Sequence, residues 1–261
     1  MNGVAPVGNS AQAHITVRDL TMAYGSFVIM REMTFTINQG DVFIIMGGSG
    51  SGKSTLLRHL IGLNQPAGGQ IFYGDQDFTR AEAVQREQIL RDTGVLFQSG
   101  ALWSPMTLAE NIGLLLEEYT DLSPAEIGEV AALKLALVGL KGFEDYYPSQ
   151  ISGGMQKRAG LARAMALDPE ILFFDEPSSG LDPISARLLD ELILELRDNL
   201  GTTVVVVTHD LSSIFTIGTN SIFLDPDRKT IGAQGSPKEL LAHSQDPQLR
   251  RFLTRGGTEH L

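Results

Sequence analysis

Apolar positions along the chain fall into two patterns: short runs that suit buried strands, and longer stretches with a recurrence of three to four residues that suit helices. The run Val42–Met46 (VFIIM) is followed by glycines and then by TLLRHLI, which reads as strand, loop and helix. Ahead of it, residues 14–20 and 33–37 alternate or run apolar like strands, with Tyr24 in the turn between them. Behind it the pattern predicts a short strand at 70–73, a polar helix at 81–91 and a strand at 93–97. Residues 107–118 and 123–137 read as successive helices. The second opens on Ser123-Pro124-Ala125-Glu126, a capping box with proline at the first helical position. With no strand signal between Phe97 and Ile171, the middle of the chain, about residues 100–167, reads as a helical insertion whose last helix runs from Ser152 to about Leu167.

The alternation of strand and helix then resumes. Residues 171–174 form an apolar strand ending in acids, Asp182-Pro183 caps a helix at 184–199, and the β-branched run at 202–207 reads as a central parallel strand. Residues 221–224 and 230–233 suit a closing hairpin. Ser236-Pro237-Lys238-Glu239 starts another helix, and a last short one is expected at 247–254. The chain therefore divides into a small, polar lead at 1–13 expected to be disordered, a main domain at 14–235, and a helical tail at 236–261.

Composition narrows the function classes. A hydrophobic content of 43% supports a sizeable core, and the absence of cysteine permits a reducing compartment. No apolar run approaches the ~20 residues of a membrane span and the first residues lack secretory character, so a cytoplasmic location is expected. The net charge of −11 argues against a nucleic-acid partner and would repel an anionic leaflet. Contact with a membrane is expected only through a protein partner.

The candidate chemistry begins at Gly47, Gly48, Ser49, Gly50, Ser51, Gly52, Lys53, Ser54 and Thr55, which fit G-x-x-x-x-G-K-[ST] between a strand and a helix. The four glycines can take backbone angles closed to other residues, so successive N–H groups can converge on phosphate at a helix N-terminus. Lys53 should reach the outer phosphates and the Ser54 hydroxyl should sit on Mg²⁺. Asp175, at the carboxyl end of its strand, can hold the Mg²⁺ hydration shell opposite Ser54, and Glu176 is positioned to accept a proton from water. Residues 151–155 (ISGGM) follow a loop instead of a strand, so they are no second loop of the same kind. They nevertheless offer Ser152, Gly153 and Gly154 at a helix start with Lys157 and Arg158 behind, a candidate anion site.

In this order the motifs resemble those of the ATPase subunits of ABC transporters, from about His14 to Gly235. The resemblance implies an α/β P-loop NTPase fold with a mixed parallel-sheet core, an antiparallel β subdomain and an inserted helical subdomain. It implies that Tyr24 stacks on adenine, that Gln98 touches Mg²⁺ and the attacking water, and that His209 contacts the γ-phosphate and orients Glu176. Asp182 would serve both as helix cap and at an interface. Two subunits would sandwich two ATP molecules head to tail, with Ser152, Gly153 and Gly154 completing the partner's site. The signature departs from the commonest family form at Ile151 and at Met155, with glutamine one place later at Gln156, which puts the usual role of that glutamine in doubt.

Residues 97–103 (FQSGALW), the SGGM signature and the tail DPQLRRFL are similar to the ATPases of Mla-type systems. That likeness implies a phospholipid-transport motor with a permease, an MCE-domain protein and possible accessory regulation, peripheral at the cytoplasmic face of the inner membrane. Two alternatives are an ATPase for small solutes and a soluble ABC protein acting on ribosomes or DNA, the latter disfavoured by the single compact cassette and acidic balance. Trp103 and Met106 form an apolar patch suited to a permease helix, the alternative being core packing. Leu249, Phe252 and Leu253 can fold onto their own subunit or dock on a neighbour. The neighbour is favoured because the helix is short and isolated from the sheet.

Overall fold

The computed structural model describes residues 12–254. In chain order its first elements are β1 (Ala13–Tyr24), β2 (Phe27–Asn38), β3 (Val42–Met46), α1 (Lys53–Leu60), β4 (Gly68–Tyr73), β5 (Gln76–Asp77), α2 (Ala83–Arg91) and β6 (Thr93–Leu96). Three helices follow with no strand among them: α3 (Leu108–Tyr119), α4 (Pro124–Leu137) and α5 (Gly153–Ala164). The remainder is β7 (Ile171–Asp175), α6 (Pro183–Leu200), β8 (Thr203–Val207), α7 (Leu211–Ile217), β9 (Asn220–Asp225), β10 (Thr230–Gln234), α8 (Pro237–His243) and α9 (Pro247–Leu253).

A six-stranded sheet in the order β10-β9-β3-β8-β7-β6 forms the centre, parallel throughout except where β10 returns antiparallel to β9. Because β3, β7 and β8 run the same way, the loops that follow them, at Gly47, Glu176 and Thr208, emerge at one sheet edge, where open α/β sheets place their ligands. Strand pleating sends alternate residues to opposite cores. Val42, Ile44, Leu172, Phe174, Val204 and Val206 pack with Ile112, Leu135, Leu161 and Ile193 of the helices. Phe43, Ile45, Phe173, Val205 and Val207 pack with Leu56 and Leu57 of α1 and with Ile15, Val17, Phe35 and Ile37. Those last four belong to a second, antiparallel sheet, β2-β1-β4-β5.

The structure departs from the sequence reading at several places. The first two strands are 12 residues each, far longer than expected, because Asp19 (φ 50°) and Glu32 (φ 52°) take left-handed backbone angles beside register shifts that interrupt the alternation. Ala13, read as part of the lead, already pairs with Asn38, while residues 1–11 lie outside the described residues. The helix read from Ser152 to Leu167 ends at Ala164. Beyond it the chain turns through Asp168 (φ 50°), whose carboxylate meets the buried Lys134 at 2.5 Å. Helix α7 was not foreseen, since seven residues give too little periodicity. The tail lies on its own subunit, against the sequence preference for a neighbour: Leu249 and Leu253 are buried in the core, and the Phe252 ring packs 5.5 Å from that of Phe223.

Candidate active site

The loop from β3 to α1 is shaped by steric necessity at two glycines. A Cβ on Gly47 would lie 2.6 Å from Ser51 Oγ and 3.0 Å from the Leu224 carbonyl. Gly52, at φ 90°, is the N-cap of α1 and leaves 3.0 Å to Ile29. Gly48 differs from the expectation, for its φ is ordinary and a Cβ there would meet no protein atom. No side chain caps α1 and no acid sits in its first turn, so the N–H groups at its start remain for an anion. Lys53 Nζ donates to the Gly47 and Gly48 carbonyls at 3.0 Å each. Burial pulls its pKa down, and the Glu176 and Asp175 carboxylates push it back up.

One short polar contact connects this loop to the end of β7, and a second joins the residues that follow β7 and β8. The Ser54 hydroxyl donates to Asp175 Oδ1 at 2.8 Å, a hydroxyl–carboxylate pair whose hard oxygens suit Mg²⁺ held with water and substrate phosphate. Glu176 Oε1 lies 2.9 Å from His209 Nδ1. Glu176 itself adopts φ 50°, and its N–H is tied to the Val207 carbonyl at 2.8 Å, which aims the side chain out of the sheet edge. Gln98, just past β6, donates through Nε2 to Ser179 Oγ at 3.2 Å.

A cleft of about 940 Å³ gathers Tyr24, Gly48, Ser49, Gly50, Gly52, Lys53, Ser54, Thr55, Gln98, Glu176 and His209. Gly47, Ser51 and Asp175 are not in its wall. Ser51 is buried with its Oγ unpartnered among the described residues, and Asp175 reaches the cleft through Ser54. Tyr24 closes β1 and is exposed, its hydroxyl 3.5 Å from Asn64 Nδ2. Phe27, Ile29, Leu211, Arg251 and Phe252 also line the cleft and were missed. Phe27 sits across the hairpin from Tyr24 with Lys229 Nζ 5.1 Å from its ring centroid. An exposed aromatic two residues past a glycine was the available signal for it.

Ser152, Gly153 and Gly154 stand outside this cleft. Ser152 caps α5, its Oγ accepting from the Met155 N–H at 3.3 Å, and both Ser152 and Gly153 are exposed. Gly154 backs onto α6, where a Cβ would come 3.2 Å from Ser185 Oγ. The basic pair expected behind this site points elsewhere. Lys157 is buried and donates to the Gln98 carbonyl, and Arg158 Nη1 donates to the Val138 carbonyl at 3.2 Å. Gln156 Nε2 donates to the Pro148 carbonyl at 2.9 Å, so the displaced glutamine braces the loop ahead of α5. Asp182 caps α6 at the Ile184 and Ser185 N–H groups, both 3.0 Å, and the Ser185 hydroxyl, donating to its Oδ2 at 2.5 Å, together with these backbone bonds holds its carboxyl below the usual range.

Comparison with known proteins places these features in context. The ABC transporter family profile matches residues 30–179. The chain is 42% identical over 239 residues to the "Probable ribonucleotide transport ATP-binding protein mkl" of Mycobacterium tuberculosis, covering 92% of this chain but spanning only 66% of that relative's length. It is 38% identical to the "Intermembrane phospholipid transport system ATP-binding protein MlaF" of Escherichia coli K12, covering 92% of this chain and 88% of that one. Among solved structures it is similar to the post-hydrolysis dimer of the ATP-binding cassette MJ0796 bound to ADP and Pi, with a TM-score of 0.77 and 30% identity over 84% of this chain and 97% of that one. A likeness to cbiO1 of Clostridium perfringens has a TM-score of 0.79 at 25% identity, covering 94% and 95%. With its sheet order, its loop glycines and its paired Ser54–Asp175 and Glu176–His209 contacts, this chain belongs to the ABC transporter family.

Proposed function

We propose that the chain binds ATP with Mg²⁺ in this cleft and hydrolyses it as the motor subunit of a membrane transporter whose cargo is phospholipid. The observation that carries the chemistry is the meeting of three groups at one sheet edge: Lys53 in its glycine loop, Ser54 on Asp175, and Glu176 on His209. Tyr24, with Phe27 opposite, offers aromatic faces for the adenine. Lys53 exchanges its two carbonyl partners for phosphate oxygens, and the N–H groups at the start of α1 cradle the chain of phosphates. Mg²⁺, held by Ser54 and Asp175 with Gln98 nearby, supplies charge neutralisation on the phosphates when bound. Glu176 takes the proton of a water whose oxygen attacks the γ-phosphorus as the bond to the bridging β–γ oxygen breaks. His209 fixes the carboxylate that receives it.

The exposed Ser152–Gly153–Gly154 start of α5 is the part of the site that this reading assigns to a second copy, head to tail, with its N–H groups on the γ-phosphate. A shallow apolar groove of about 540 Å³ between α2, β6, α3 and α5, walled by Leu90, Phe97, Leu115 and Leu167, is where a helix of a transmembrane partner would seat. Trp103 stands at 61% exposure, which speaks against the core-packing alternative for it. Among the described residues no helix is long and apolar enough to cross a membrane, so this reading leaves the span to the permease and the chain at the inner face of the membrane. An MCE-domain protein and a small regulator complete the proposed assembly.

Phospholipid is favoured over ribonucleotide because the MlaF relative is matched along most of its length and the mkl relative along only part. Purifying the chain with its co-expressed membrane partners and analysing bound lipid by mass spectrometry tests the cargo. Enriched phospholipid together with ATPase activity is expected, whereas an active assembly that carries no lipid above background would reject it.

A further inference from the structure

The tail helix α9 is fastened to the turn between β9 and β10 by several independent contacts. Asp246 caps its start at the Gln248 and Leu249 N–H groups and pairs with Arg228 at 3.0 Å. Arg228 also meets Asp225, and Gln248 bonds to Asp227. Leu249 and Leu253, four apart on one face, are buried. Arg251, two residues from each, faces the other way. Its guanidinium is exposed, has no hydrogen-bond or ion-pair partner among the described residues, and lines the same cleft as Lys53, Ser54 and Glu176.

The charge in that cleft makes the placement informative. Lys53 is buried with its Nζ on the Gly47 and Gly48 carbonyls, and Asp175 and Glu176 stand at the same site, bonded to Ser54 and His209, so one lysine is set against two acids there. Arg251 is the other permanent cation in the cleft wall, and guanidinium presents forked donors that match phosphate oxygens. We infer that Arg251 is a nucleotide-binding residue, its guanidinium contacting the phosphate chain of the nucleotide held by its own subunit, so that α9 acts as a strap across the cleft. This inference rests on the ATP-binding reading of the same cleft.

Titration calorimetry of the full chain with ATP, ADP and AMP tests it. Arg251→Ala should weaken ATP binding about fivefold, the scale of one partly solvated charge contact, with a smaller loss for ADP and none for AMP. Arg251→Lys should recover part of the loss, and raised salt should shrink the difference between variant and parent. The melting temperature without nucleotide should not move, because Arg251 has no partner in the fold to lose. Leu249→Ala, which loosens the anchored face, should weaken ATP binding alone but add nothing to Arg251→Ala. Unchanged ATP affinity in Arg251→Ala overturns the proposal, as does an equal loss for all three nucleotides, or a loss present only at concentrations where gel filtration finds dimer. Lys53→Ala separates the two levels. If it abolishes ATP binding while Arg251→Ala does not alter it, only the strap is wrong; if ATP binding survives Lys53→Ala, the loop reading itself is wrong.

Discussion

The cleft at the sheet edge and the start of α5 are both built from serine and glycine at a helix N-terminus, yet they stand in opposite states. In the cleft the side chains are already engaged with one another: Lys53 on two carbonyls, Ser54 on Asp175, Glu176 on His209. At α5 the Ser152 hydroxyl bonds only to its own helix, and the neighbouring glycine faces open space. The difference separates a half-site whose geometry is set by the strands of its own sheet from one whose Gly153 and Gly154 N–H groups meet no acceptor among the described residues. Donors left free at a helix start in this way call for an anion delivered from outside.

Two substitutions and their mixture probe that contrast. Glu176→Gln acts on the prearranged half. Turnover should fall by roughly 10²–10⁴, the scale of a lost general base. ATP affinity measured by calorimetry should hold, and a fall in affinity matching the fall in turnover would remove Glu176 from the proton-accepting role. Ser152→Ala acts on the exposed half and should lower turnover about a hundredfold, as for one lost transition-state donor at the lower end of such effects. Mixing the Ser152→Ala and Glu176→Gln chains in equal amounts sharpens the test. If each site draws on two copies, half of the dimers carry one intact site, and ATPase activity should recover to about a quarter of the parent value. Recovery no greater than the mean of the two variants would mean that Ser152 works within its own chain.

The smallest effect is expected away from both regions, at Asp190 of α6, which accepts from Ser213 of α7 at 2.9 Å. Burial pushes its carboxyl up to about 6 against the opposing hydrogen bond from Ser213. The folded chain therefore keeps a proton that the unfolded chain releases above 3.8. This group favours folding most fully at acid pH, and the advantage is lost as pH rises through about 6. Asp190→Asn should raise the melting temperature at pH 8 by about 2–4 °C, as for ~1 kcal/mol in a domain of this size, and by less at pH 5. Equal shifts at both pH values, read by calorimetric scanning, would refute the buried-charge account while leaving the comparison of the two half-sites intact.

Most of the sheet was legible because β3, β7 and β8 are buried on both faces and read as apolar, β-branched runs that end at a glycine, an acid and Thr208-His209 respectively. The first hairpin was only half legible. At Asp19 and Glu32 the backbone steps out of the pleat, so the alternation that marks a strand fails where the strand continues toward Tyr24 and Phe27. The same failure concealed Phe27, since an aromatic beyond an apparent strand end carries no periodic signature. For the tail, amphipathicity identified a helix but not its acceptor surface. That surface is assembled from Phe223 and the turn at Asp225–Arg228, distant in sequence and adjacent only after folding. Gln156 was recognised as displaced, while the carbonyl it braces, at Pro148, could be found only in three dimensions.

The apolar side chains of α3, α4 and α5 belong to the same buried cluster as those on one face of β3, β7 and β8. The insertion is therefore no appendage on a flexible joint. Any turning of it relative to the glycine loop must proceed by interlocked methyl groups sliding past one another, in small increments, and a displacement imposed at its rim reaches the bed of the strands as mechanical load.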